Sequence, residues 1–281
     1  MTTGRGWASF AVAIGLVVLL GACAPRQDEG DPVERMGAQE IFTLAERTLE
    51  QDPGGTEAAR LFSEVERLHP YTEWARRSLV MQAYAHHQAR RYDDARSAAQ
   101  RYLEVFPGSP DAAWARYILA LSYYDQIDAI GRDQALTLEA LRALRDVIEL
   151  HPESEYARSA RLKFDLAFDH LAAKEMEIGR YYLTDGHYAA AINRFRVVVE
   201  EFQTTTHTPE ALHRLVECYL ALGLATEAQT AGAILGHNYA SSGFYQDSYA
   251  LLTGQGLSPE ASDGDGWLQR IWRQTLRGEW L

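Results

Sequence analysis

An all-α fold, a solenoid of about five helical hairpins, follows from two features of this sequence. Between Ala38 and about Gly254 the chain is rich in Ala, Leu, Glu, Arg and Gln, and its apolar residues recur at three and four rather than at two. Within that stretch one group of residues keeps returning: a small residue, core positions four and seven places on, and a helix-stopping position five further. Strand signals are absent apart from Arg196-Val197-Val198-Val199, and that run lies inside a longer helical pattern.

The recurring group marks the second helix of each hairpin in turn. Ala58, Phe62 and Val65 precede Pro70; Ala95, Ala99 and Tyr102 precede Pro107; Ala140, Leu144 and Val147 precede Pro152; Ala191, Phe195 and Val198 precede Gln203. A fifth set, Ala228, Gly232, Leu235 and Ala240, keeps the spacing but has lost the large residue and the proline. The small residue lets the partner helix come close, the next two positions fill the core, and the proline stops the helix. In the fourth hairpin Gly179 and Tyr182, then Asp185-Gly186-His187-Tyr188, then Ala191 reproduce the glycine, tyrosine, glycine, tyrosine, alanine spacing of the tetratricopeptide hairpin. Arg90-Arg91-Tyr92-Asp93-Asp94-Ala95 and Leu222-Gly223-Leu224-Ala225 are weaker versions of the same turn. The step from Pro107 to Pro152 is longer than its neighbours, and the excess falls at Gln126 to Leu138, around Gly131, as a loop inside the third hairpin. From Glu155 to about Leu183 no breaker occurs, so the fourth hairpin should open with one helix of about 29 residues, roughly 43 Å long.

The ends of the chain read differently. Arg5, an uncharged run from Trp7 to Leu20 and then Gly21-Ala22 form a secretory leader too short to span a bilayer comfortably. Leu20-Gly21-Ala22-Cys23 resembles the bacterial lipobox, in which the thiol takes a diacylglycerol, the leader is cut off and the new amine is acylated. Two or three acyl chains would hold Cys23 permanently at a membrane, where one alone binds reversibly. Residue 24 is Ala, not the Asp that resembles an inner-membrane retention signal, so the expected place is the outer membrane, facing the periplasm. The following APRQDEGDPVERMG is polar and broken by Pro and Gly, and reads as a flexible tether of about 20 Å. The expected organisation is a leader at 1–22, a lipidated tether at 23–37, the solenoid at 38–253, and a linker with an amphipathic tail at 254–281. In that tail Trp267, Leu268, Ile271, Trp272 and Leu276 make an apolar stripe beside Arg270, Arg273 and Arg277. It could cap the last hairpin, dock on a partner protein or lie on lipid.

Charge and side-chain chemistry narrow the function. The net charge of −12 makes nucleic acid a poor partner. With Cys23 lipidated, Cys218 is left without a disulfide partner and fits a small core position in Leu215 to Leu222. His86 and His87 are adjacent, and His207 and His213 are six apart; neither pair has metal-ligand spacing. His69 and His151 each precede a helix-ending proline, where a cationic ring would favour the helix terminus. There is no Gly-rich phosphate loop, Gly-x-Ser-x-Gly elbow or zinc-protease motif, so no catalytic residue, metal or cofactor is expected. A hairpin solenoid instead offers a concave face lined by its first helices, suited to extended or helical protein segments. Repeat register places Arg77, Tyr84 and His87, then Tyr117 and Tyr124, then Met176 and Arg180 on that face; Tyr117 and Tyr124 could equally pack inside the array.

The combination of lipobox, short tether and five hairpins, with Arg67-Leu68-His69-Pro70-Tyr71-Thr72-Glu73-Trp74-Ala75, Tyr181-Tyr182 and Ala190-Ala191-Ile192-Asn193-Arg194, resembles the BamD family. Members are lipoprotein subunits of the machinery that assembles outer-membrane β-barrels. The resemblance covers about Glu40 to Ser242 and leaves the tryptophan tail outside. It implies a non-enzymatic scaffold whose N-terminal hairpins receive unfolded barrel proteins. Its C-terminal hairpins would dock on a POTRA domain of a BamA-like barrel subunit, with other assembly lipoproteins as further partners. The resemblance also implies that Asn193 and Arg194 belong to that docking surface, Arg194 projecting free to meet a carboxylate. The same fold fits a periplasmic adaptor for peptidoglycan enzymes, proteases or cell division.

Overall fold

The computed structural model describes residues 32–127 and 133–280. Cys23, the leader, most of the tether and Gly131 lie outside the described residues. A 3-10 turn at Pro32–Arg35 precedes twelve α-helices. Hairpins pair α1 (Ala38–Gln51) with α2 (Glu57–Leu68), α3 (Glu73–Gln88) with α4 (Tyr92–Val105), α5 (Ala112–Tyr124) with α6 (Ala135–Leu150), α7 (Glu155–Thr184) with α8 (Tyr188–Glu201), and α9 (Thr208–Ala221) with α10 (Ala225–Tyr239). Then come α11 (Gly243–Gly254) and α12 (Trp267–Arg277). No strand occurs among the described residues. This is the all-α hairpin array expected, and α7 runs for 30 residues.

Local chemistry sets the helix boundaries. The Oγ atoms of Thr72, Ser154 and Ser242 accept hydrogen bonds from the backbone N–H of Ala75, Ala157 and Tyr245, capping α3, α7 and α11. His69, Phe106 and His151 leave helical geometry at φ −134°, −129° and −135°, because each precedes a proline whose ring disfavours the α region there. Phe202 ends α8 at φ −123° before Gln203, so the fourth hairpin keeps the stop without the proline. Within hairpins, Gly186 and Gly223 turn the chain at φ 77° and 72°, and Arg90 takes the same left-handed place at φ 57°. Arg91, His187 and Leu224 then donate their N–H groups back to the carbonyls of His86, Tyr182 and Tyr219 at 2.8–2.9 Å, closing the same C-terminal motif three times.

The positions picked out by the repeat are the core of each second helix. Ala58, Phe62 and Val65, Ala95, Ala99 and Tyr102, Ala140, Leu144 and Val147, Ala191, Phe195 and Val198, and Ala228 and Leu235 are all buried. At Gly179 the crossing is so close that a β-carbon would collide with the Phe195 ring. First helices touch the first helix of the next hairpin from α1 through α7, whereas second helices make no comparable contact with each other. The first helices therefore form the closer-packed, inner layer of the array.

Buried apolar residues fall into four clusters. One joins Ile41, Phe42, Phe62 and Val65 of the first hairpin, a second joins Leu79, Tyr102 and Ile118, and a third joins Ala120, Leu144, Val147 and Ala160. The fourth runs without interruption from Ala172 on α7 through Phe195, Leu215 and Leu235 to Leu252, Leu268 and Trp280.

Three expectations need amending. Pro32 to Gly37, placed in the tether, is docked on the first hairpin: Val33 is buried, and the Met36 carbonyl lies 3.1 Å from His69 Nε2. Enough apolar surface is present because Val33 joins a cluster the helices have already built. Met176, placed on the inner face, is fully buried in the C-terminal cluster, since the long α7 turns that position inward against α8. His151 is not a helix-end cation: burial, with the nearby Arg116 charge, pushes its pKa below the ordinary histidine value.

The tail packs as a cap. Leu268 and Ile271 are buried, the Arg196 guanidinium lies over the Trp267 ring at 5.1 Å, and Trp272 meets His237 edge-on at 5.6 Å. Past the helix, Trp280 is buried and donates its Nε1–H to the Val199 carbonyl on α8. Leu276 leaves the stripe and is exposed, because at 100° per residue it is rotated off the face that buries Leu268, Ile271 and Thr275.

Candidate functional surfaces

Every residue expected on the N-terminal inner face sits at a junction between successive first helices. The Arg77 guanidinium on α3 lies 5.0 Å from the Phe42 ring of α1 and 5.1 Å from that of Trp74. Tyr84 stacks toward Trp114 of α5 at 5.5 Å. His87 reaches Asp125 just past α5 at 2.9 Å. Tyr117 meets Tyr156 of α7 at 5.5 Å, and the Lys163 ammonium lies 5.4 Å over the Tyr124 ring. Both tyrosines are half-buried, so each contacts the next hairpin and keeps part of its surface in solvent. Between α1 and α3 a cavity of about 330 Å³ is lined by Glu46, Leu49, Pro53, Met81, Tyr84 and Gln88. An apolar floor rimmed by amide and carboxylate groups suits a side chain from an extended peptide.

The C-terminal first helices are joined by a chain of ion pairs. Arg180 on α7 donates to Glu210 on α9 at 3.0 Å, Arg214 lies 3.4 Å from the same carboxylate, and Arg214 donates to Glu217 at 2.8 Å. Burial works against the Arg214 charge, but Glu217 and then Glu210 outweigh it and hold its pKa above the ordinary guanidinium value. His213 continues the chain to α11 through a 2.8 Å contact of Nδ1 with Ser248 Oγ. Burial lowers its pKa in spite of Glu217 alongside, so the ring is neutral at pH 7.

Arg194 lies on the α7–α8 rim. It is not free: its Nη1 donates to Glu175 Oε2 of α7 at 3.1 Å, although 41% of the side chain remains exposed. Asn193 stands exposed beside it with no side-chain hydrogen bond among the described residues. Repeat arithmetic cannot find Glu175, because nothing in the spacing links residues on adjacent helices nineteen positions apart. Cys218 is fully buried, and burial pushes its thiol up to about 12, as befits a core residue. Among the described residues no group of three or more His, Cys, Asp or Glu side chains is arranged to hold a metal ion, and no helix is long and apolar enough to cross a membrane.

Comparison with known proteins places these surfaces in context. The family model described as YfiO, outer membrane lipoprotein, matches residues 34–234. The outer membrane protein assembly factor BamD of Caulobacter vibrioides is 52% identical over 203 residues, covering 72% of this chain and 67% of the relative. That of Rickettsia prowazekii is 38% identical over 247 residues, covering 87% of this chain and 95% of its own. The corresponding factor of Neisseria meningitidis serogroup A is 26% identical over 246 residues, covering 83% and 92%.

Proposed function

The chain belongs to the YfiO family of outer membrane lipoproteins, and from that premise we propose that it is a non-enzymatic assembly factor for outer membrane proteins, held at that membrane by lipid on Cys23. Its N-terminal inner face receives segments of unfolded barrel proteins. The half-exposed Tyr84, Tyr117 and Tyr124, with the cavity between α1 and α3, support this reading: rings fixed on one side and open on the other bind extended chains at little entropic cost. Lipidation is tested by Cys23→Ser, which should move the protein to soluble fractions; stable membrane retention without a partner would overturn it.

The C-terminal hairpins dock on a POTRA domain of the barrel-forming subunit, and Arg194 is the observation that carries this part. An arginine held by one carboxylate, yet two-fifths exposed, is oriented in advance and can accept a second carboxylate at the rim. Truncating such a group in a desolvated contact costs about 2 to 5 kcal/mol. Arg194→Glu should abolish co-purification with a POTRA-containing partner while leaving helicity intact, with only the small fall in melting, about 0.2 to 1 kcal/mol, that loss of the Glu175 pair causes. An acid-to-arginine change on the partner should restore it. Binding of Arg194→Glu with unaltered affinity would remove Arg194 from the interface.

A further inference from the structure

Leu162 and Leu166 stand at the middle of α7, 64% and 63% exposed, on the helix that links the two halves of the array. Two large apolar side chains one turn apart in water are unusual on a helix packed from both ends. Arg158, Arg161 and Asp165 are exposed on the same face, and none of them makes an ion pair or side-chain hydrogen bond among the described residues. Arg161 and Asp165 are four residues apart and could pair within the helix, as Arg196 and Glu200 do at 2.7 Å, yet they stay open.

At 100° per residue the face has two flanks: the leucines lie on one, Arg161 and Asp165 on the other, with Arg158 and Asp169 between them. A two-fold axis crossing α7 near residue 164 and lying in the plane of contact reverses the helix direction without exchanging its flanks. Leucine flank then meets leucine flank, with Leu162 opposite Leu166 of the second copy. Charge flank meets charge flank in reversed order, so Arg161 faces Asp165 of the second copy twice over; Asp169 takes no part, its carboxylate being held within the chain by Thr206 and His207. A parallel arrangement would instead set leucines against charges. We propose that this face is a self-complementary contact through which two copies of the chain associate, α7 lying antiparallel on α7. The occupant follows from the charge order, and the inference is independent of the reading of Arg194. One helix pair buries less than a standard interface, so the dimer is weak in dilute solution and favoured where molecules are concentrated on a membrane surface.

The test is sedimentation and energy transfer on the full chain purified in detergent. The wild-type chain should dimerise in a concentration-dependent way by roughly 0.1 mM. Arg161→Asp and Asp165→Arg should each weaken the dimer at least tenfold, since the two-fold axis turns each into two like-charge contacts. An equimolar mixture of the two variants should return to within about threefold of wild type, because unlike copies now match. Circular dichroism should be unchanged in both, as the side chains are exposed. A wild-type chain that stays monomeric throughout, or a mixture that stays monomeric, would overturn the proposal; the second outcome would assign the face to a different molecule.

Discussion

The first three hairpins and the C-terminal half use one repeat to build two kinds of object. In the first, three small separate apolar clusters lie across the junctions of successive hairpins, and neighbours are also joined by ring contacts such as Arg77 on Phe42 and Tyr117 on Tyr156. In the second, one cluster is continuous from Ala172 to Trp280, and the helices over it are tied by the Arg180–Glu210–Arg214–Glu217 chain. A row of separate clusters behaves as a one-dimensional array whose units open individually, whereas a shared core opens as a block. The adaptable face is thus at the N-terminal end, where extended chains would have to be accommodated. The stiffer surface is at the Arg194 end, where a folded partner would dock.

The sharpest way to break this contrast is to cut equivalent rings from each side. Phe62→Ala and Phe195→Ala remove fully buried side chains at the same repeat position, each costing about 3 to 5 kcal/mol. Amide exchange should accelerate in α1 to α3 alone for the first, and across α8 to α12 together for the second. Equally local effects in both would dissolve the distinction.

Acid gives a smaller, more selective perturbation. His213 is neutral and buried, so its folded pKa lies below its unfolded value near 6.5. The unfolded chain then binds more protons, and stability is full above about pH 6.5 and falls as pH drops below it, until the folded pKa is passed. Because the ring holds Ser248, α11 should loosen first; melting followed between pH 7.5 and 5.5 should lose part of its pH slope in His213→Gln. His86 and His151, also lowered by burial, should loosen only their own hairpins.

The smallest effect is expected at Arg90, which adopts the left-handed conformation that glycine supplies in the fourth and fifth turns. Arg90→Gly should raise stability by about 0.5 to 1 kcal/mol, confined to the second hairpin, as seen in denaturant midpoints. A gain shared by the whole chain would mean that the N-terminal units are more tightly coupled than their cores suggest.

Most of the fold was legible because the repeat is a statement about burial: Ala191, Phe195 and Val198 recur at their spacing since those positions meet the partner helix. Met176 was misplaced because register carried across an uneven period accumulates rotation, and α7 is twice the usual length. Glu175, the partner of Arg194, and Val199, the acceptor for Trp280, depend on which helices become neighbours, which local pattern does not encode. Register put Tyr84, Tyr117 and Tyr124 on first helices, but their ring partners on the next hairpin were not legible, for the same reason.

Cys218 carries one more consequence. Burial pushes this thiol far above the ordinary range, so at pH 7 it carries no appreciable thiolate, and it is sealed inside the shared core. In a compartment that oxidises exposed sulfur, the chain keeps a thiol that neither traps a passing polypeptide in a mixed disulfide nor is itself consumed. Under the proposed function, unfolded, cysteine-bearing clients would be held and released without a covalent mark on either side.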